Sequence, residues 1–323
     1  MTTTDLPPAA TTAALAPNWF AAVMGTGIVA TAAVTLPVTH PVLTVAATGV
    51  WVLSVVLLAG VTVRSLGGAW HDHPAMSHFL GARAMAPMSV AAATILVGSR
   101  VVGAPTAYVA ALVLWLVGTG LGLATATSRR IRAQRTGPAE ATWLMPVVPP
   151  MVSAAVGALL AVRSPEPLAT GLLVVSWACF ALTLVLAAGP ALAVVRRVAG
   201  GDLPAATPTL FVVLGPLGQS ATAVLLLAPG RRLAVLYAAL VLVAALVWLA
   251  AAVACVLRQR PPFAMTWWAF TFPVGTVVTG SSALAAATGS GLAATVAVAT
   301  YVGLVGVWAV TASRTALGLR APR

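Results

Sequence analysis

Apolar residues in this chain come in long unbroken runs, not in alternation. From about residue 19 to residue 312 these runs recur, separated by short segments that hold nearly all the charge. A run of about eighteen or more apolar residues is enough for one helical crossing of a hydrocarbon layer. The pattern predicts ten such helices, at 19–36, 42–61, 83–101, 105–127, 141–162, 168–188, 208–228, 233–257, 263–287 and 292–312. The period-two pattern of a β-barrel is absent, and an open strand would leave unpaired backbone groups in lipid. Short connections make consecutive helices antiparallel neighbours.

The odd and even runs differ in kind. The odd ones carry helix breakers in or near their middles: MGTGI at 24–28, Pro87, the trio Pro146, Pro149 and Pro150, LGPLGQS at 214–220, and FPVG at 272–275. The even runs, at these boundaries, contain no internal proline and read as Leu/Val/Ala, as in LAVLYAALVLVAALVWLAAAVACVL at 233–257. Irregular backbone at membrane depth is tolerated where it is buried in protein or lines a wet cavity. The alternation predicts five helical hairpins, with odd helices around a central pore and even helices outside, facing lipid. A compact bundle whose kinks only assist packing is the competing arrangement.

Composition fits a membrane solvent. Of the 323 residues, 60% are hydrophobic and 7% charged, with a mean hydropathy of +1.03, too little charge for a water-facing surface. The net charge of +12 comes from arginine alone, without lysine. Scattered through short loops, those arginines exclude a nucleic-acid surface and instead orient the chain. Thirteen lie at the termini or in loops after even helices, against four on the other side (Arg100, Arg163, Arg231 and Arg232). The positive-inside rule then puts both termini in the cytoplasm of a multi-pass plasma (inner) membrane protein. The opening MTTTDLPPAATTAALAP lacks a basic n-region and does not read as a signal peptide. The expected organisation is a short disordered cytoplasmic tail over 1–17, a ten-helix transport domain over 18–312 and a short basic cytoplasmic tail over 313–323. Cys179 and Cys255 lie in or at the ends of apolar runs and read as small buried hydrophobes, not as a disulfide or metal pair.

No Asp, Glu, Lys or Arg falls near the middle of any run, which argues against a carboxylate-lined cation path and against buried-carboxylate catalysis. The available polar lining is neutral: Thr26, Ser89, Thr94, Ser153, Gln219, Ser220, Thr271, Thr276 and Thr279. Hydroxyls and an amide can donate to a passing anion without holding it too tightly. Restarted half-helices would add N–H donors and freed carbonyls would repel, and the sequence does not say which faces the path.

Four stretches, NWFAAVMGTGIVA (18–30), WLMPVVPPMVSAAVG (143–157), PTLFVVLGPLGQS (208–220) and PFAMTWWAFTFPVGTVVTG (262–280), resemble the tellurite-resistance/dicarboxylate transporter family. That family takes in malic-acid transporters, sulfite exporters and tellurite-resistance proteins, with slow-anion channels as distant relatives. The resemblance covers about 18–312. It implies ten helices in five hairpins around a pore, often a homotrimer, an anionic cargo and a phenylalanine on the ninth helix that plugs the pore. MGTGI and WWAFTFP lie nearer the malate and sulfite branch, and the family does not fix the cargo; a C4-dicarboxylate such as malate is the first expectation, with sulfite the close competitor. The alternative is a sulfite or inorganic-anion exporter or a tellurite-resistance-type channel; a membrane-embedded transferase is a remote third. No enzyme activity, cofactor, metal or nucleic-acid partner is expected; the partners are a small anion and the bilayer.

On a helix, successive residues turn about 100°, so Phe270 and Phe272 point to nearly opposite sides. Phe272 shares a stripe with Trp268, Thr276 and Thr279, and Phe270 shares one with Trp267 and Phe263. The threonine-bearing face is the better wall for a water path, which selects Phe272 as the pore gate; the competing reading is that both phenylalanines serve packing alone. The lining candidates are Gly25, Thr26, Gly27, Pro87, Ser89, Pro149, Pro150, Ser153, Gly215, Pro216, Gln219, Pro273, Thr276 and Thr279. For Gln219, a helix–helix hydrogen bond is as good a reading as pore lining. Trp267 and Trp268 fit an interfacial belt as well as a cargo role. The loop 69–87 holds His71, Asp72, His73, His78 and Arg83. Its spacing matches no zinc pattern; a pH-sensitive cytoplasmic mouth and a structured loop capping the third helix are the remaining readings. Arg83 either draws anions to the mouth or simply follows the positive-inside rule.

Overall fold

The computed structural model describes residues 15–66 and 74–320, and these contain helices and no β-strand. A helix falls on each apolar run: α1 (Phe20–Thr35), α2 (Pro41–Ser65), α3 (Leu80–Ala93), α4 (Ala104–Thr127), α5 (Pro149–Ala161), α6 (Leu168–Ala199), α7 (Leu214–Leu227), α8 (Arg232–Gln259), α9 (Thr271–Thr288) and α10 (Gly291–Arg320). Among the described residues nine helical stretches are long and apolar enough to cross a membrane, and α5 is a shorter apolar helix. This is an all-α integral membrane protein.

Three even helices overrun the hydropathy limits on the arginine-rich side. α2 runs to Ser65, α6 to Ala199 and α10 to Arg320. Hydropathy marks the hydrocarbon, whereas a helix continues through the interface, where Arg64, Arg196, Arg197 and Arg314 can snorkel. The extension of α6 brings Pro190 inside it, so the absence of proline from even helices holds only for their hydrocarbon portions. The described part of the N-terminal segment does not float free: the Leu15 amide donates to the Arg64 carbonyl at 2.8 Å, and a 3-10 turn starts at Pro17. Residues 1–14 lie outside the described residues.

Packing sorts the helices into two layers. α1 lies against α3, α3 against α5, α5 against α7, α7 against α9, and α9 closes back on α1. Each even helix packs along its odd predecessor and leans on the next odd helix. The inner long spans are 72–78% buried and the outer ones 17–39%. Outer side chains such as Val45, Val185, Leu233 and Leu292 stand exposed, an apolar area that only lipid or protein can cover.

The breaker motifs work differently from the predicted mid-helix breaks. MGTGI sits inside the continuous helix α1. A Cβ on Gly25 would collide with Thr271 Oγ1 of α9, and one on Gly27 would come within 2.7 Å of Ser89 Oγ of α3. The two glycines therefore let α1 approach both of its ring neighbours closely. Irregular backbone lies mostly at the N-terminal ends of the odd segments, as 3-10 turns at Pro17–Trp19, Ala141–Leu144, Thr207–Val213 and Met265–Phe270. In the third segment it is a π-helical turn at Thr94–Gly98. The junctions stay hydrogen-bonded: the Leu214 amide donates to Phe211 O and the Thr271 amide to Trp268 O. No free half-helix end is created there.

Indole N–H groups tie the outer layer to the inner. Trp51 of α2 donates to Thr94 Oγ1 at 3.0 Å, Trp115 of α4 to Ser153 O at 2.9 Å, Trp248 of α8 to Leu210 O at 2.9 Å and Trp308 of α10 to Thr26 Oγ1 at 3.2 Å. Such bonds supply direction where both surfaces are apolar and burial alone supplies none. At the arginine-rich end, Arg197 pairs with Glu140 and Asp202, each at 2.9 Å, joining the segments that lead into α5 and α7.

Candidate functional site: an axial cavity bordered by an aromatic ring

Inside the ring lies a cavity of about 260 Å³ to which all five odd helices contribute. Its residues start at Ile28 on α1, Met88 on α3, Val152 on α5, Gln219 on α7 and Phe272 on α9, and continue toward the C-terminal ends. A second void of only about 20 Å³ is lined by Met24, Phe79, Met145, Val212 and Pro273, among others, barely room for one water. On the first four segments the small void's residues precede the large cavity's. On α9 the two meet, with Pro273 on one and Phe272 on the other. Phe272, 2% exposed, thus borders the large cavity one residue away from the wall of the small void.

Phe270 is placed quite differently. Its ring meets Phe211 edge-on at 4.7 Å and lines an outer groove between α8, α9 and α10. The wheel that joined Trp268 to Phe272 fails, because residues 265–270 form a 3-10 turn with about 120° per residue. Trp268 is instead buried beside Gly25 and donates to Thr315 Oγ1 of α10 at 3.1 Å. Trp267 is half-buried, stacks edge-on with Phe263 and Phe270, and has the Arg314 guanidinium 5.7 Å over its ring.

The structure divides the lining candidates. Ser89, Gln219, Thr279 and Phe272 line the large cavity and Pro273 the small one. Thr26, Pro149 and Ser153 turn to the outer helices: Thr26 accepts from Trp308, Ser153 Oγ lies 2.6 Å from Thr119 Oγ1, and Pro149 abuts Gly122. Pro87 borders an outer groove between α2 and α4. Gly25 and Gly27 are contact points within the ring, and Gly215 faces Val148. Thr276 donates to Pro273 O at 2.6 Å and Leu214 O at 3.2 Å, joining α9 to α7. Pro150 is buried and Pro216 half-buried, and neither borders either axial void. Thr31, Thr35, Thr222 and Ser282 line the large cavity as well. Counting one turn on from Gln219 gives Thr222 and from Thr279 gives Ser282, a helical period that would have located both.

The cavity wall carries no charged side chain. Several of its hydroxyls have protein partners. Ser89 donates to Met24 O at 2.9 Å, Thr35 to Ala32 O at 3.0 Å, and Thr222 and Thr279 share a bond at 3.0 Å. Three polar atoms have none: Thr31 Oγ1, Gln219 Oε1 and Ser282 Oγ. They belong to side chains 5%, 6% and 3% exposed, and a buried polar group without a partner is costly. All three lie on α1, α7 and α9, whereas α5 contributes only apolar residues such as Val152, Val156 and Leu159.

The mouth candidates fall only partly among the described residues. His71, Asp72 and His73 fall outside the described residues. α3 opens on Phe79 without a side-chain cap. His78 is buried, with Nε2 unpartnered. Burial, reinforced by the Arg135 charge, lowers its pKa to about 4. A pKa held that low speaks against His78 as a sensor near neutral pH. Arg83 points into an outer groove bordered by Leu121, Thr125 and Ile131, not into the axial voids. No cluster of three or more metal-binding side chains occurs among the described residues.

Residues 14–316 match the family model described as SLAC1, voltage-dependent anion channel. The chain is 27% identical over 303 residues to "Sulfite efflux pump SSU1" of Arthroderma otae, covering 82% of this chain and 80% of that protein. It is 28% identical over 304 residues to the protein of the same description from Trichophyton rubrum, with the same coverage.

Proposed function

The chain belongs to the SLAC1 voltage-dependent anion channel family, the family whose motifs it carries, and from that premise we propose that it moves small anions along the ring axis past Phe272. The observation that carries this reading is a cavity and a smaller void, each lined by all five odd segments, with Phe272 on the one and its neighbour Pro273 on the other. Sulfite is the proposed cargo. The curated relatives named above are sulfite efflux pumps, and a neutral cavity suits a small anion of low charge such as singly charged hydrogen sulfite. A C4-dicarboxylate such as malate is the second reading, since MGTGI and WWAFTFP fit the malate and the sulfite branch alike. Against it, two carboxylates would enter a wall with no cation to pair with them, and burying unpaired charge is expensive.

The proposed orientation puts both termini and the arginine-rich end in the cytoplasm of the plasma membrane. The large cavity then opens toward the outside and Phe272 closes it from within. A homotrimer is the proposed assembly. The test is the purified full chain in liposomes, with labelled sulfite, malate, chloride and nitrate at two pH values. Flux of malate above sulfite would reverse the choice of cargo, and no anion flux at all would reject the reading.

A further inference from the structure

The three unpartnered polar atoms lie on neighbouring ring helices at graded heights. Thr222 of α7 bonds Thr279 of α9, so these two are level. Gln219 precedes Thr222 by three residues and Ser282 follows Thr279 by three, about 4.5 Å of helix rise each. Gly275 packs against Ile28, which sets Thr31, three residues on, near the height of Thr279. Gln219 is therefore the rung nearest Phe272, Thr31 stands about one turn further, and Ser282 about one turn beyond that. α3 and α5 face this ladder with side chains such as Met88, Ala92, Val152 and Leu159.

Resting on the anion-transport reading, we infer that Thr31, Gln219 and Ser282 bind the transiting ion, and that Gln219 selects small oxyanions that keep one proton, of the hydrogen sulfite type. A carboxamide offers donors and an acceptor on one rigid plane. Its NH2 meets an anionic oxygen, while its oxygen, the atom left without a partner, accepts from the ion's O–H. Nitrate and chloride present no such hydrogen. A site built to pair with a hydroxyl discriminates strongly against a ligand lacking it, because its own polar atom is then left unpaired. None of the residues lining the cavity, on any of its five walls, is titratable. The pH dependence of the preference thus comes from the ion: it holds where sulfite carries one proton and fades as that proton is lost.

The experiment measures sulfite and nitrate flux side by side in liposomes for the wild-type chain, Gln219→Leu and Ser282→Ala, at pH 5.5 and 8.5. Expected for Gln219→Leu at pH 5.5 is a roughly tenfold fall in sulfite flux, the scale of a hydrogen bond to a charged group, with nitrate flux within about twofold of wild type. Ser282→Ala should lower sulfite flux by a few-fold. At pH 8.5 the wild-type preference should narrow. Equal losses for both ions, or an unchanged sulfite-to-nitrate ratio, would overturn the inference while leaving anion transport intact. Thermal stabilisation of the detergent-purified protein by sulfite, against nitrate, reads binding apart from flux. Stabilisation by sulfite that survives Gln219→Leu, or none in the wild type, would also overturn it.

Discussion

Replacing Phe272 with alanine separates a gate from a packing residue, because the two roles predict different balances of stability and flux. A core phenylalanine truncated to alanine costs about 3–5 kcal/mol. Phe272 is 2% exposed but borders a void of about 260 Å³. Part of its surface already lacks neighbours, so the expected loss lies at the low end, ~3 kcal/mol. Flux should move the other way. For an anion to pass from one void to the other the ring must leave its rotamer and its contacts, on the order of 1.5–3 kcal/mol. At about 1.4 kcal/mol per decade, removing that barrier raises flux roughly 10–150-fold. The assay is sulfite and nitrate flux in liposomes, with size exclusion and a thermal melt to establish an intact fold. Phe270→Ala is the control. That ring meets Phe211 at 4.7 Å on the outer side of α9, so its loss should lower stability by about 3–5 kcal/mol without raising flux. A folded Phe272→Ala with wild-type flux, or a Phe270→Ala that leaks as much, would refute the assignment.

Other substitutions probe the frame and the mouth. Gly25→Ala drives a methyl into Thr271 Oγ1 and should cost about 1–3 kcal/mol in a melt; adding Thr271→Ala should restore part of that, and no restoration would mean the strain lies elsewhere. Trp115→Phe removes the indole bond to Ser153 O and should cost roughly 1 kcal/mol while the sulfite-to-nitrate ratio holds steady; a changed ratio would place Ser153 at the axis after all. His78 is held at a pKa of about 4, below its ordinary 6.5. Between those values the unfolded chain binds a proton that the folded one refuses, so stability falls as pH drops from 6.5 toward 4 and is flat above, by up to ~3 kcal/mol. Melts from pH 4.5 to 8 should lose that slope in His78→Ala, and an identical slope would exclude His78 as its source.

Much of this architecture was written in one-dimensional pattern. Each apolar run became a helix because lipid leaves a backbone no other partner. The alternation of breaker-rich and plain runs marked which helices would be inner, since close approach and irregular turns need protein neighbours. Helical periodicity also parted Phe272 from Phe270. It could not place Trp268, because a 3-10 turn resets the angle per residue just before α9. Nor could it tell which small polar residues face the axis. On α1 every residue from Phe20 to Ala33 is buried, so no contrast between faces survives for a wheel to read. Thr26 and Thr31 look alike in sequence; Trp308 claims the first and the cavity receives the second. Hydropathy is a property of each residue against its solvent, and sequence alone determines it. Which side of a helix meets a partner, and which meets a void, belongs to pairs of helices, and only the closed ring decided it.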